Sequence, residues 1–189
     1  MRKGRKDEWA YVLDYLPKGY PSSRDNKPVA QVIGTYHFTL LEVTPKPGVS
    51  LEIMEKIYIG EGKRDKIMTI VKRIPASKLT ASAYAELPYA VEKIVEENEE
   101  RFVEFINTSM PLTTKLHQLE LLPGIGKKHM WEIVKERKRK PFESFEDVKS
   151  RLPNVPDIKK AIIKRILEEI EKPDLKWYLF VPKQSRDLF

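Results

Sequence analysis

The sequence predicts an α+β protein: a small β-barrel or curled sheet over residues 1–84, a connecting acidic amphipathic helix over 85–110, an all-α domain over 111–172, and a strand-like tail over 173–189. Three observations carry this. Before residue 75, β-branched and aromatic residues come in short runs separated by Gly, Pro, Asn and Asp. From Leu87 to Ile106 the apolar residues follow a 3.6-residue period. After Pro111 two helix–turn–helix units follow one another, with Leu-Pro at the turn of each.

The elements follow in order. Trp9 to Leu16 reads as a strand, and Pro17 to Pro28 as a polar loop. Val29 to Val43 reads as the longest strand, with Gly34 marking a bend or bulge. Thr44 to Ser50 is a turn, and Leu51, Ile53, Ile57 and Ile59 mark the next strand. Gly60 to Asp65 reads as a hairpin loop and Lys66 to Ile74 as its return strand. No helix is predicted between the third and fourth strands. One helix is predicted through Leu87–Ile106, with Pro88 in its first turn and Glu92, Glu96, Glu97, Glu99, Glu100 and Glu104 as a solvated face. Shorter helices are predicted at about 112–121, 126–139, 145–151 and 157–171, with Ser144 and Asp147 as a capping arrangement. Trp177 to Val181 reads as a strand returning to the sheet.

Composition narrows the function classes. The 189 residues carry a net charge of +7 and no cysteine, which removes disulfides, thiol nucleophiles and thiolate metal sites. Charge is uneven: +5 over 1–74, −3 over 75–118, +4 over 119–172. Two basic regions flanking an acidic one make an anionic partner the first expectation, nucleic acid above all. No apolar run approaches the roughly 20 residues that span a bilayer. The basic start Arg2 to Lys6 lacks the apolar stretch of a signal peptide, so a cytoplasmic location with no membrane partner is expected. No phosphate-binding Walker loop, dinucleotide fingerprint or nucleophile elbow is present. No metal or other cofactor is expected, no catalytic residue is assigned, and the oligomeric state is open.

The most specific motif runs from Leu119 to Lys128. Gly124 and Gly126 leave a turn free of side-chain bulk. Backbone amides around Gly124, Ile125 and Gly126 then feed a helix amino terminus, where they lack intrahelical partners and suit an anion. Ile125 is expected to plug inward, and Lys127 and Lys128 to add positive charge. These residues resemble the helix-hairpin-helix motif, which holds a nucleic-acid backbone phosphate without reading bases. Residues 145–158 resemble a degenerate second copy, with Asn154 in place of Gly124, Pro156 in place of Gly126 and Asp157 in place of Lys127. Pro156 has no amide to donate and Asp157 repels phosphate, so only the first hairpin is expected to bind.

Auxiliary backbone contacts are expected from Lys135, Arg137, Lys138, Arg139 and Lys140, where five cations fill six positions. Lys63, Arg64 and Lys66 are placed on a loop near a possible stacking surface of Tyr36, Phe38 and Tyr58. The basic segment Arg2 to Lys6 is a candidate clamp.

The order of elements also resembles an archaeal family, domain of unknown function six-five-five. The resemblance rests on Leu121 to Gly126 and on Ile33 to Phe38. It implies an oligonucleotide-binding-type barrel joined to a tandem helix-hairpin-helix domain, and RNA as ligand slightly ahead of DNA. The leading expectation is a non-enzymatic nucleic-acid-binding protein. The alternatives are a protein–protein adaptor whose hairpins pack on a partner, and a nucleic-acid enzyme with scattered carboxylates such as Asp14, Asp25, Glu42 and Asp65.

Overall fold

The computed structural model describes residues 6–183, so most of the basic segment Arg2 to Lys6 lies outside it. The chain forms two units, one from Met1–Val91 with Glu169–Phe189 and one from Glu92–Glu168.

The first unit is built on a curled five-stranded antiparallel sheet, a half-barrel. Its strands are β1 (Trp9–Leu16), β2 (Val29–Gly34), β3 (Leu40–Pro45), β4 (Lys56–Tyr58) and β5 (Ile67–Arg73), in the order β4-β1-β2-β3-β5. Ala10, Val12, Ala30, Val32, Val43 and Ile57 pack one face into the main apolar cluster. Between Val12 and Asp14 the register to β2 slips, leaving Leu13 as an extra residue. This bulge flips the side-chain parity, so that Tyr15 packs on the same cluster as Val12, and it adds curl. Consecutive residues Tyr11 and Val12, and Val32 and Ile33, are all buried, so β1 and β2 are covered on both faces.

Several expected strands change. Val29–Val43 is a hairpin rather than one strand: β2 ends at Gly34, Thr35–Thr39 turns, and β3 begins at Leu40. The turn is organised from far upstream. Asp7 Oδ1 accepts the amides of Tyr36 (2.7 Å) and His37 (2.9 Å). A Cβ on Gly34 would lie 2.2 Å from the Asp7 carboxyl carbon, so glycine is what admits this carboxylate. Phe38 takes a left-handed φ of 57° to complete the turn. Residues 60–65 are likewise not a hairpin loop, because β4 pairs with β1 and β5 with β3. No helix intervenes between β4 and β5, which stand where the sequence predicts the third and fourth strands.

A polar network ties the sheet to the start of α1 (Ala81–Glu97). Gln31 is buried, and its amide donates to Tyr20 Oη (2.9 Å) and the Lys78 carbonyl (3.0 Å) and accepts from the Thr80 amide (2.8 Å). Thr80 Oγ1 donates to Asp14 (2.6 Å) and accepts from the Ala83 amide, capping α1. Burial pushes the Tyr20 hydroxyl up to about 12, opposed by the Gln31 hydrogen bond and reinforced by the Glu42 carboxylate that accepts its proton.

The predicted single helix is two. α1 begins well before Leu87, which places Pro88 inside it, and it ends at Asn98, whose side-chain amide donates to the Ile94 carbonyl (2.8 Å). α2 (Glu99–Thr108) follows. The expected apolar stripe is buried at Leu87, Val91, Ile94, Val95 and Phe102. Glu92, Glu96, Glu97, Glu100 and Glu104 are exposed, whereas Glu99 accepts the Phe145 amide at 2.7 Å.

In the second unit, the helix expected at 112–121 is instead a short hairpin of β6 (Pro111–Thr113) and β7 (Leu116–His117) and a 3₁₀ turn at Gln118–Leu121. Pro111 and two threonines favour extended backbone there. His117 then caps the turn through Nδ1, while Glu120 accepts the His117 amide. α3 (Lys127–Arg139), α4 (Phe145–Arg151) and α5 (Ile158–Glu171) stand close to where the sequence predicts them, and Ser144 Oγ caps α4 by accepting the Asp147 amide (2.9 Å). Trp177–Val181 is not a strand. Back in the first unit, the Glu169 carboxylate accepts the amides of Leu179, Phe180 and Val181 at 2.6–2.9 Å, and this holds that segment in a bend.

Candidate nucleic-acid interface

The first hairpin is made by a sharp turn between Leu122 and α3. Gly124 takes φ +85°, a conformation that L side chains rarely adopt. Ile125 is buried, and its amide donates back to the Leu122 carbonyl (3.0 Å). That amide is therefore engaged and unavailable to a ligand, which corrects its assignment as an anion donor. Gly126 is the N-cap of α3, without a side-chain cap, and its carbonyl accepts the first helical bond from Met130 (2.9 Å). The amides of Gly126, Lys127, Lys128 and His129 thus belong to an uncapped helix start, with no intrahelical acceptor. Nothing lies within 4 Å of where a Gly126 Cβ would stand, so this terminus is open.

Charge at the turn is divided. Lys127 Nζ pairs with Glu120 (3.0 Å) and donates to the Lys115 carbonyl (2.7 Å). Burial would raise the Glu120 carboxyl, but the His117 amide and the Lys127 ammonium outweigh it and hold the group below its ordinary value. Lys128 is exposed with no ion pair among the described residues. His129 Nδ1 lies 3.5 Å from a Glu132 carboxylate oxygen without forming a hydrogen bond.

The second hairpin repeats the turn and alters its chemistry. Val155 donates to the Leu152 carbonyl (3.1 Å), as Ile125 does to Leu122. Its helix starts one residue later, however. The Asp157 carbonyl accepts from Ala161, and the Asp157 carboxylate accepts the Lys160 amide (3.0 Å). Asp157 therefore caps α5 itself and closes the site that stays open at α3. The two hairpins lie side by side, since a Cβ on Gly124 would stand 3.8 Å from the Pro156 ring.

The auxiliary cations separate into engaged and unengaged groups. Arg137 is half-buried and donates to the Ile106 carbonyl (2.7 Å), Ser109 Oγ (2.8 Å) and the Ser109 carbonyl (2.6 Å), so it clamps the end of α2 and is not a ligand contact. Arg139 pairs with Glu136 and Lys140 with Glu143. Lys135 and Lys138 are exposed with no ion pair among the described residues. In the first unit, Arg64 Nε donates to the Gly60 carbonyl (2.8 Å) and Lys66 pairs with Glu55, which leaves Lys63 exposed.

The expected stacking trio does not form. Phe38 is 1% exposed and cannot meet a base. Tyr36 packs edge-on against His37 (4.7 Å between centroids). Tyr58 packs edge-on against Trp9 (5.2 Å), and its hydroxyl accepts the Gly62 amide. Four exposed aromatics stand outside the expected trio: Trp9 on β1, Tyr84 and Tyr89 on α1, and Trp131 on α3. The signal for Trp131 was there: it falls outside the Met130, Ile133 and Val134 face that α3 buries.

Of the scattered carboxylates, Asp14 and Glu42 both act on Tyr20, while Asp25 pairs with Lys27 (3.7 Å) and Asp65 stays exposed. Among the described residues, no group of three or more His, Asp and Glu is arranged to hold a metal ion, and no helix is long and apolar enough to cross a membrane.

Comparison with known proteins agrees with this architecture. The chain is 49% identical over 177 residues to the uncharacterized protein MJ0038 of Methanocaldococcus jannaschii, covering 93% of this chain and 80% of that one. The crystal structure of Af1531 from Archaeoglobus fulgidus superposes with a TM-score of 0.85 at 45% identity, covering 92% of this chain and 98% of that one. Residues 6–182 match the family described as "Protein of unknown function (DUF655)", and the chain belongs to that family.

Proposed function

We propose that this protein is a non-enzymatic nucleic-acid-binding protein that holds a backbone phosphate at its first hairpin, as a helix-hairpin-helix does, with little base specificity. The observation that carries the reading is the contrast between the two hairpins. α3 starts at a glycine with open amides and a Lys128 that has no ion pair among the described residues, whereas α5 starts at Asp157, which caps its own helix. The sheet supports the oligonucleotide-binding-type reading. It is a curled sheet of five strands in which β1 pairs with both β2 and β4, and β3 with β5, every pair antiparallel. Because β2 is covered on both faces, the loop between β4 and β5, with Lys63, is the more accessible element of that sheet.

The test is binding of single-stranded and duplex RNA and DNA across a salt series. Three unpaired lysines on α3 set an expected log–log slope of about −2 to −3. Lys128→Glu should weaken every ligand. Binding that ignores salt, or ignores Lys128→Glu, overturns the reading.

The adaptor reading has one observation in its favour. A groove of about 420 Å³ beside the second hairpin is lined by Val148, Leu152 and Val155 together with charged residues of both signs, among them Glu96, Glu146 and Lys149. Loss of a captured protein partner on Val155→Asp, with nucleic-acid binding unchanged, would assign that hairpin to protein contact.

A further inference from the structure

We propose that one face of α3, carrying Lys128, Trp131, Lys135 and Lys138, is a track for single-stranded nucleic acid, with Trp131 stacking on an unpaired base beside the phosphate held at the first hairpin. This rests on the nucleic-acid reading above and names its ligand class.

The spacing i, i+3, i+7, i+10 gathers these four residues within about 80° of arc on a helix turning 100° per residue. They extend over about 15 Å at 1.5 Å per residue, starting at the open amides of the hairpin. All four are exposed, and Trp131 is 62% exposed. The other cations of α3 and its C-cap are engaged internally: Lys127 with Glu120, Arg137 with Ser109, Arg139 with Glu136, Lys140 with Glu143. Among the described residues, the cations of α3 without an ion pair are therefore those that share a face with the exposed indole. Glu132, the nearest carboxylate on the helix, is turned off this face beside His129.

Charge and shape together select the occupant. Three lysines with no carboxylate among them attract a polyanion, and lysine is depleted at protein–protein interfaces. An indole lying in water gains by covering its face, and a nucleobase offers a flat partner of matching size. A duplex keeps its bases stacked inside, so only a single strand or a bulged nucleotide presents a free base face to Trp131.

The experiment uses the full-length chain and three probes of equal length: a single-stranded oligonucleotide, its duplex, and a single strand with abasic sites. Wild type, Trp131→Ala, Trp131→Phe and Lys128→Glu are compared. Trp131→Ala should weaken the normal single strand about tenfold and leave the duplex and the abasic strand unchanged, with Trp131→Phe retaining most of the affinity. Lys128→Glu should weaken all three probes. If Trp131→Ala affects none of them, or all alike, while Lys128→Glu still weakens binding, stacking is wrong and the hairpin reading stands. If wild type binds no probe, both are wrong, and the face fits a protein partner instead.

Discussion

Glu120 holds Lys127 at 3.0 Å across the first hairpin, so one of the two lysines at the candidate phosphate site is already neutralised. Glu120→Gln keeps an acceptor for the His117 amide and removes the charge. The Glu120 carboxylate is largely covered but the Lys127 ammonium lies in solvent, and an ion pair screened in this way is worth about 1 kcal/mol or less, so oligonucleotide affinity should rise about two- to fivefold. Titration by fluorescence anisotropy at low salt reads this, and weaker binding would show that Glu120 positions the site rather than opposing the ligand.

Gly126→Asp should move stability and binding in opposite directions. Its φ of −94° and the open space around it accept a side chain, and aspartate is a better N-cap by a few tenths of a kcal/mol. The same carboxylate would fill the anion site and reduce binding tenfold or more. Asp157→Ala should do the converse at α5, costing about 1 kcal/mol with binding unchanged. Urea melts paired with binding isotherms separate the two effects.

Arg137→Ala should destabilise the protein by about 2 kcal/mol or more, because it strips the Ile106 and Ser109 carbonyls of a charged donor. The salt slope of the folded protein should not change. A slope smaller by about one, with normal stability, would return Arg137 to the binding surface.

Acid should loosen the second unit through His117 before it reaches the carboxylates. Burial, with Arg137 adding to it, holds this imidazole below its ordinary value, and Glu120 opposes the shift. A base held low binds fewer protons folded than unfolded, so stability rises with pH. The contribution is complete above the ordinary histidine value of about 6.5 and is lost as pH falls through the folded value. Protonation also removes the Nδ1 acceptor of the Leu119 amide. Thermal melts from pH 7.5 to 5 should show the melting temperature falling, and falling less for His117→Asn. Parallel curves would clear His117 of this role.

The sequence by itself determined what depends on neighbours along the chain. The buried stripe of Leu87, Val91, Ile94 and Phe102, the Ser144 cap and the limits of α3 and α4 follow from helical period and capping chemistry, both local. The turn through Gly124 was legible for the same reason, as was the difference at Asp157. Only the tertiary structure decided the features set by residues far apart in the chain. Asp7 breaks Val29–Val43 into a hairpin from 29 residues upstream, against a run of strand-forming side chains. Glu169 bends the 177–181 segment into a loop although its composition is that of a strand. The sorting of cations was equally hidden. Lys127 and Lys128, or Arg137 and Lys138, are alike as letters, and only the placement of Glu120 and Ser109 engages the first of each pair and leaves the second in water. A charge is free or bound according to what folds against it, and pairing over such distances leaves no periodic trace in the sequence.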